Sequence, residues 1–243
     1  HDISLNIKKG TINAITGISG SGKSTFLELA SGLLSAESGK IYAKSKPVLA
    51  QQNYNGALFE AFAADDVAFG PKNLGLKGKA LVEKVKESMS IVGLPFDEFK
   101  DKQTFALSGG ERRKLAIAGI LALDSDIIMF DEPTAALDGP SKIKMMELFR
   151  QLANNGKTVI FSTHHPDEAS FADRVIHLEN GVVALDTMKK NQSEENKNPE
   201  ESLKMQESLE SASMLASLRK VSNSLASKEV KNSFVAKLNP AVK

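Results

Sequence analysis

The sequence predicts an α/β fold: a largely parallel sheet with an antiparallel β edge and a helical subdomain inserted between two of its strands. Three observations carry this. Gly17-Ile18-Ser19-Gly20-Ser21-Gly22-Lys23-Ser24-Thr25 has the form GxxxxGK(S/T), with a strand-like stretch before it and a helix-like stretch after it. Ile127-Ile128-Met129-Phe130 is an unbroken apolar run of strand length that ends in two carboxylates, Asp131 and Glu132. Between about residues 60 and 123, apolar residues recur at helical spacing, punctuated by Gly70-Pro71, Gly75, Gly78 and Gly93-Leu94-Pro95.

The chain has 243 residues, enough for one α/β domain with an appendage. Its net charge of +1 gives no electrostatic case for nucleic acid as a partner. Cysteine is absent, which excludes disulfides and thiolate chemistry and suits a reducing compartment. No unbroken apolar run approaches the roughly 18 residues of a membrane span. His1 is an unusual first residue and fits a trimmed chain.

Taken in order, Ile3-Ser4-Leu5-Asn6-Ile7 alternates apolar and polar and predicts a half-exposed strand, turned by Lys8-Lys9-Gly10 onto the next strand, Thr11 to Thr16. The first helix runs from Ser24 to Ala30. Leu33 to Ile41 reads as a helix end, a loop and a strand start, and Pro47 to Gln52 as a short strand ending in two amides. The helical segment follows. Ser108-Gly109-Gly110-Glu111 then opens a helix over 112–123, where a hydroxyl and bare backbone amides at a helix start make a second anion site or simply a capped end. After the Ile127–Phe130 strand, a helix extends through Leu152. Gly156 to His165 reads as a strand ending in two histidines, His164 and His165. Asn180-Gly181 joins two last strands in a hairpin.

The first motif has a physical logic. Its glycines let backbone N–H groups turn inward around an anion. Lys23 supplies positive charge to the β- and γ-phosphates of a nucleotide, and the Ser24 hydroxyl is suited to ligate Mg²⁺. The helix dipole beyond it favours the same phosphates. Asp131 and Glu132 stand at the carboxyl end of a buried strand, where open α/β sheets place ligands. They suit holding Mg²⁺ and orienting or deprotonating an attacking water; a solvated acidic turn is the plainer alternative.

Taken together and in order, these elements over residues 1–186 resemble the ATP-binding cassette (ABC) ATPases, a P-loop NTPase family. The resemblance makes Gly17 to Thr25 the Walker A loop, Gln52 the glutamine-loop residue, and Leu107-Ser108-Gly109-Gly110-Glu111 the signature. Ile127 to Asp131 is then Walker B, with Glu132 the catalytic glutamate. Ala135-Ala136-Leu137-Asp138 is similar to the D-loop and His164 to the switch histidine. It implies ATP and Mg²⁺ as cofactors, with Ser24, Gln52 and Asp131 toward the metal. It also implies a head-to-tail pair of ATPase domains, as homo- or heterodimer, each ATP held between one Walker A loop and the other domain's Ser108–Glu111.

Within the family, Gln52-Asn53, Leu58-Phe59 and Asp65 to Leu76 resemble the ATPases of energy-coupling factor transporters, as does the helix Arg112 to Gly119. This implies ATP hydrolysis powering uptake of vitamins or metal ions, a transmembrane coupling component docked between Gln52 and the helical segment, and a place at the cytoplasmic face of the membrane. The rivals are another type of ABC transporter, a soluble relative acting on DNA or ribosomes, and a P-loop kinase. The second would bring coiled coils or basic arms, and the third would not explain the signature or His164.

Four departures stand out. The signature ends in Glu111 rather than glutamine. Tyr54, Asn55 and Ala57 break the usual run after the glutamine loop. Ala136 replaces a usual glycine. The family's adenine-stacking aromatic precedes the point where this chain begins, so weak preference for ATP over GTP is expected of it. Residues 187–243 read as a polar linker and a weakly helical tail. Phe234 to Lys243 resembles the opening of the transmembrane component of such transporters, and predicts a longer protein in which ATPase and membrane partner are fused.

Overall fold

The computed structural model describes residues 3–189. Its sheet is formed by β1 (Ile12–Thr16), β2 (Val48–Ala50), β3 (Ile127–Phe130), β4 (Thr158–Thr163), β5 (Arg174–Glu179) and β6 (Val182–Met188), in the order β2-β3-β4-β1-β5-β6. The first five run parallel to their neighbours, and β6 lies antiparallel along β5. Asn180 and Gly181 both hold positive φ, 50° and 77°, the requirement of the tight hairpin turn that Asn-Gly favours. The hairpin runs on to Met188, past the break expected after Asp186.

The helices are α1 (Lys23–Ser31), α2 (Ala63–Asn73), α3 (Gly78–Ile91), α4 (Phe96–Phe99), α5 (Gly109–Ala122), α6 (Gly139–Asn154) and α7 (Pro166–Ala169). Between β2 and β3 the chain forms helices, short 3₁₀ turns and connecting loops, with one isolated bridge between Phe62 and Gln103 and no further strand of the sheet among the described residues. There the side chain of Asp66, buried on α2, accepts the N–H groups of Phe59 at 2.7 Å and Glu60 at 3.0 Å, fixing the loop that enters the helices. Burial still holds its carboxyl above the usual 3.8 against those bonds. α6 starts on an Asp138 cap that accepts from the Ser141 N–H at 2.9 Å.

Why the central strands lack polar alternation is visible in the packing: both faces are covered. On one face, Ile12, Ala14, Ile128, Phe130, Val159 and Phe161 join one core with Phe149 of α6, whose ring centroid lies 4.6 Å from that of Phe130 and 5.3 Å from that of Phe161. Truncating such a ring to Ala costs about 3–5 kcal/mol. On the other face, Ile15, Met129, Ile160, Ile176 and Leu178 pack with Leu27 of α1.

Two sequence-based strands do not form. Residues 3–7 do not pair with the sheet; their alternation survives because Ile3, Leu5 and Ile7 rest on the second core while Ser4 and Asn6 face out. The Asn6 carbonyl is held instead by Arg174. Ile41 and Tyr42 start no strand and are exposed. The helix expected over 112–123 begins earlier, at Gly109, because Ser108 and Glu111 cap it. The linker and tail readings beyond Lys189, including the membrane fusion, lie outside the described residues.

Strand register determines what meets at the sheet edge. Thr16 pairs with Thr163, Phe130 with Phe161, and Ala50 with Phe130. The carboxyl ends of four parallel strands therefore reach one edge together, and Gly17, Gln52, Asp131-Glu132 and His164 all follow directly from them.

Candidate functional site

The chain turns sharply after β1. A Cβ on Gly17, at φ 147°, would stand 2.4 Å from the Leu178 carbonyl oxygen and 2.4 Å from Ser21 Oγ, so only glycine fits. Gly20 and Gly22 continue the turn at φ 80° and 101°. The Ser21 N–H donates to the Ile18 carbonyl at 3.2 Å, and the Gly181 N–H to the Ser21 carbonyl at 3.1 Å, which ties the loop to the β5–β6 turn. Lys23 opens α1 buried beneath the loop, its Nζ donating to the carbonyls of Gly17 and Ile18, each at 2.9 Å. An ammonium has three protons, so one is left for a ligand.

No side chain caps α1, so the N–H groups of Lys23, Ser24 and Thr25 have neither an intrahelical nor a capping partner. Ser21 Oγ is buried without a partner in the same loop. Ile18, Ser19, Gly20, Ser24 and Thr25 form its exposed rim. A cradle that a Cβ would fill, an uncapped helix start and a braced ammonium fit a polyphosphate.

Asp131 and Glu132 share one buried hydroxyl. Ser162 Oγ donates to Asp131 Oδ1 at 2.6 Å and accepts from the Glu132 N–H at 2.8 Å. The Asp131 N–H donates to the Ala50 carbonyl at 2.9 Å. Glu132 has φ 45°, a left-handed conformation rare for its residue type. Its carboxylate is then held on both sides: Gln52 Nε2 donates to Oε2 at 3.2 Å, and His164 Nδ1 lies 3.4 Å from Oε1. Gln52 is exposed and His164 half exposed, so the cluster opens to solvent. Thus the structure brings Gln52, Glu132 and His164 together, with Asp131 beneath them. The Ser24 hydroxyl, the Asp131 carboxylate and the Gln52 amide oxygen are hard oxygen donors of the type Mg²⁺ takes alongside phosphate oxygens.

Ser108 to Glu111 stand apart from the phosphate loop. Among the described residues no hydrogen bond links the two segments. Glu111 folds back on Ser108, its Oε2 accepting from the Ser108 N–H at 2.8 Å and Oγ at 2.7 Å, while the Glu111 N–H returns to Ser108 Oγ at 3.3 Å. Those bonds from Ser108 hold the Glu111 carboxyl below its usual range. Gly109 and Gly110 instead line a hollow of about 320 Å³ with Gln52, Asn53, Tyr54, Arg113 and Ala135 to Leu137. Ala136 there has φ 60°, in the region that favours glycine, which accounts for glycine being the expected residue.

Several positioning residues escape sequence reasoning. Ser162 shows only as a polar residue in a buried strand. Glu168 on α7 is buried and accepts from Thr134 Oγ1 at 2.6 Å, Thr163 Oγ1 at 2.5 Å and Lys142 Nζ at 3.0 Å. It thereby joins the residue before His164 to the turn after Glu132. Burial pushes its carboxyl up, but those three donors outweigh it and the net shift is down from 4.5.

The family model described as "ABC transporter" matches residues 1–135. The chain is 41% identical over 200 residues to the energy-coupling factor transporter ATP-binding protein EcfA2 of Lactococcus lactis subsp. cremoris, covering 75% of this chain and 69% of that protein. It is similar to the solved structure of CbiO1 from Clostridium perfringens, described as part of the ABC transporter complex CbiONQ, with TM-score 0.69 and 31% identity over 76% of this chain and 79% of that one. It is also similar to the ATP-binding cassette MJ0796, solved as a dimer in a post-hydrolysis state with ADP and Pi. There the TM-score is 0.70 at 29% identity, covering 78% of this chain and 90% of that one.

Proposed function

The chain belongs to the ABC transporter family, and we propose that it hydrolyses ATP to power an energy-coupling factor type importer of vitamins or metal ions. The observation that carries this is the convergence of Gln52, Glu132 and His164 at the carboxyl edge of the sheet, after the adjacent strands β2, β3 and β4, the last of which pairs with the strand that feeds the phosphate loop. Gly17 to Thr25 receive the triphosphate on backbone N–H groups, with the remaining Lys23 proton on the β- and γ-phosphates. Ser24, Asp131 and Gln52 would hold Mg²⁺. When bound, the ion neutralises charge on the phosphate oxygens.

Glu132 positions the attacking water for in-line displacement and takes its proton. Its left-handed backbone and its contacts to Gln52 and His164 narrow the orientations available to the carboxylate. That is the preorganisation such a step requires. His164 reports the γ-phosphate through the same contact. Gly109 and Gly110 offer their N–H groups to the ATP of a second, head-to-tail ATPase domain, beside a Ser108 braced by Glu111, which is consistent with their separation from this chain's own loop.

The membrane coupling component docks beside α2. There Phe59, Phe62, Phe69 and Phe105 are exposed, with Phe59 and Phe69 rings 5.8 Å apart, an unusual concentration of aromatic surface next to the Gln52 loop. Among the described residues no helix is long and apolar enough to cross a membrane. The chain works as a peripheral subunit or domain at the cytoplasmic face.

Glu132→Gln tests the reading in the assembled complex. ATP binding is retained while hydrolysis and uptake fall by about a hundredfold or more, the scale of losing a positioned base. Near-normal turnover would overturn it.

A further inference from the structure

We propose that Tyr54 is a positioning residue for hydrolysis: its buried ring, held under the Arg113 guanidinium, ties the loop carrying Gln52 to α5, so that Gln52 meets Glu132 only where α5 places it. The inference rests on the proposed role of Glu132.

Gln51, Gln52 and Asn53 are all exposed, and Tyr54 is the first buried side chain after Ala50. It is therefore the anchor of the loop on that side. The ring, 6% exposed, joins the main core, and Arg113 Cζ lies 4.7 Å from its centroid, within cation–π reach. Arg113 sits on the second turn of α5, whose first turn carries Gly109 and Gly110. A hollow lined by Gln52, Asn53, Gly109, Gly110 and Ala135 to Leu137 opens beside the Tyr54–Arg113 stack, which forms one of its walls.

Among the described residues the buried hydroxyl of Tyr54 has no hydrogen-bond partner. The role assigned to Tyr54 is therefore one for the ring. A small error in Gln52 suffices to matter, since misplacement of about 1 Å costs on the order of a hundredfold in rate.

The experiment measures ATP hydrolysis by the full chain assembled with its transport partners, for Tyr54→Phe, Tyr54→Leu, Arg113→Met and the Leu/Met double variant. Tyr54→Leu and Arg113→Met should each lower kcat about tenfold with the KM for ATP little changed, the signature of lost positioning rather than lost binding. The double variant should be no worse than the worse single one, because both break the same stack. Tyr54→Phe should match the unmodified protein. Arg113 is partly exposed, so Arg113→Met remains informative if Tyr54→Leu does not fold.

Full kcat in Arg113→Met, additive losses, a raised KM at normal kcat, or a loss in Tyr54→Phe as large as in Tyr54→Leu would each overturn the proposal. Glu132→Gln is assayed in parallel. If it is active, the reading of Glu132 fails and takes this one with it; if it is inactive while Arg113→Met is fully active, only the tie is refuted.

Discussion

Ser162→Ala removes a single oxygen and disturbs both carboxylates at once. The hydroxyl is fully buried, donates to Asp131 Oδ1 at 2.6 Å and accepts from the Glu132 N–H at 2.8 Å. A bond to a charged group is worth about 1.5–3 kcal/mol and a neutral one about 0.5–1.5. The loss is then about 2–4.5 kcal/mol, which for a domain of this size lowers Tm by on the order of 10 °C. Freed of its acceptor, the Glu132 N–H no longer holds the backbone at φ 45°, and kcat should drop by about ten- to a hundredfold with nucleotide affinity little altered. The assay pairs thermal unfolding with steady-state ATPase. Thr158→Ala is the control: on the same strand, away from the site, it accepts only from the Gly10 N–H at 3.1 Å and should lower Tm while leaving kcat intact. A Ser162→Ala protein with unchanged Tm and unchanged turnover would refute the reasoning.

Gly17→Ala places a methyl 2.4 Å from Leu178 O and Ser21 Oγ. Overlap of that kind costs about 1–3 kcal/mol, roughly a 10- to 100-fold loss of ATP affinity when it falls on the loop; titration with a fluorescent nucleotide that finds native affinity would contradict the cradle geometry. Glu168, with its carboxyl held below 4.5, contributes stability that is fully present above that value and is lost as pH falls through the lower folded value. Urea midpoints of the unmodified protein should therefore fall more steeply than those of Glu168→Gln as pH drops from neutral to below 4.5, and parallel slopes would rule out a depressed Glu168.

Local sequence determined the parts whose conformation depends on near neighbours. The glycines and Lys23 of the phosphate loop, the Asn180-Gly181 hairpin, the apolar run of β3 and the helical spacing between β2 and β3 are each legible because sterics, turn preference or periodicity act within a few residues. The alternation in residues 3–7 was legible too, yet it reports only which side chains face the core. Whether such a stretch joins a sheet depends on pairing with a strand edge, and residues 3–7 pair with none among the described residues. Tertiary structure decided the rest. Gln52, Glu132 and His164 are far apart in the chain and meet because β2, β3 and β4 lie side by side in register. Ser162, Glu168 and the Tyr54–Arg113 stack have no signature of their own, since a buried hydroxyl, carboxylate or ring takes its role from what the fold sets against it. The chemistry available to this chain is written in its residue types, but the distances at which that chemistry works come from strand register and burial, which only the packed sheet imposes.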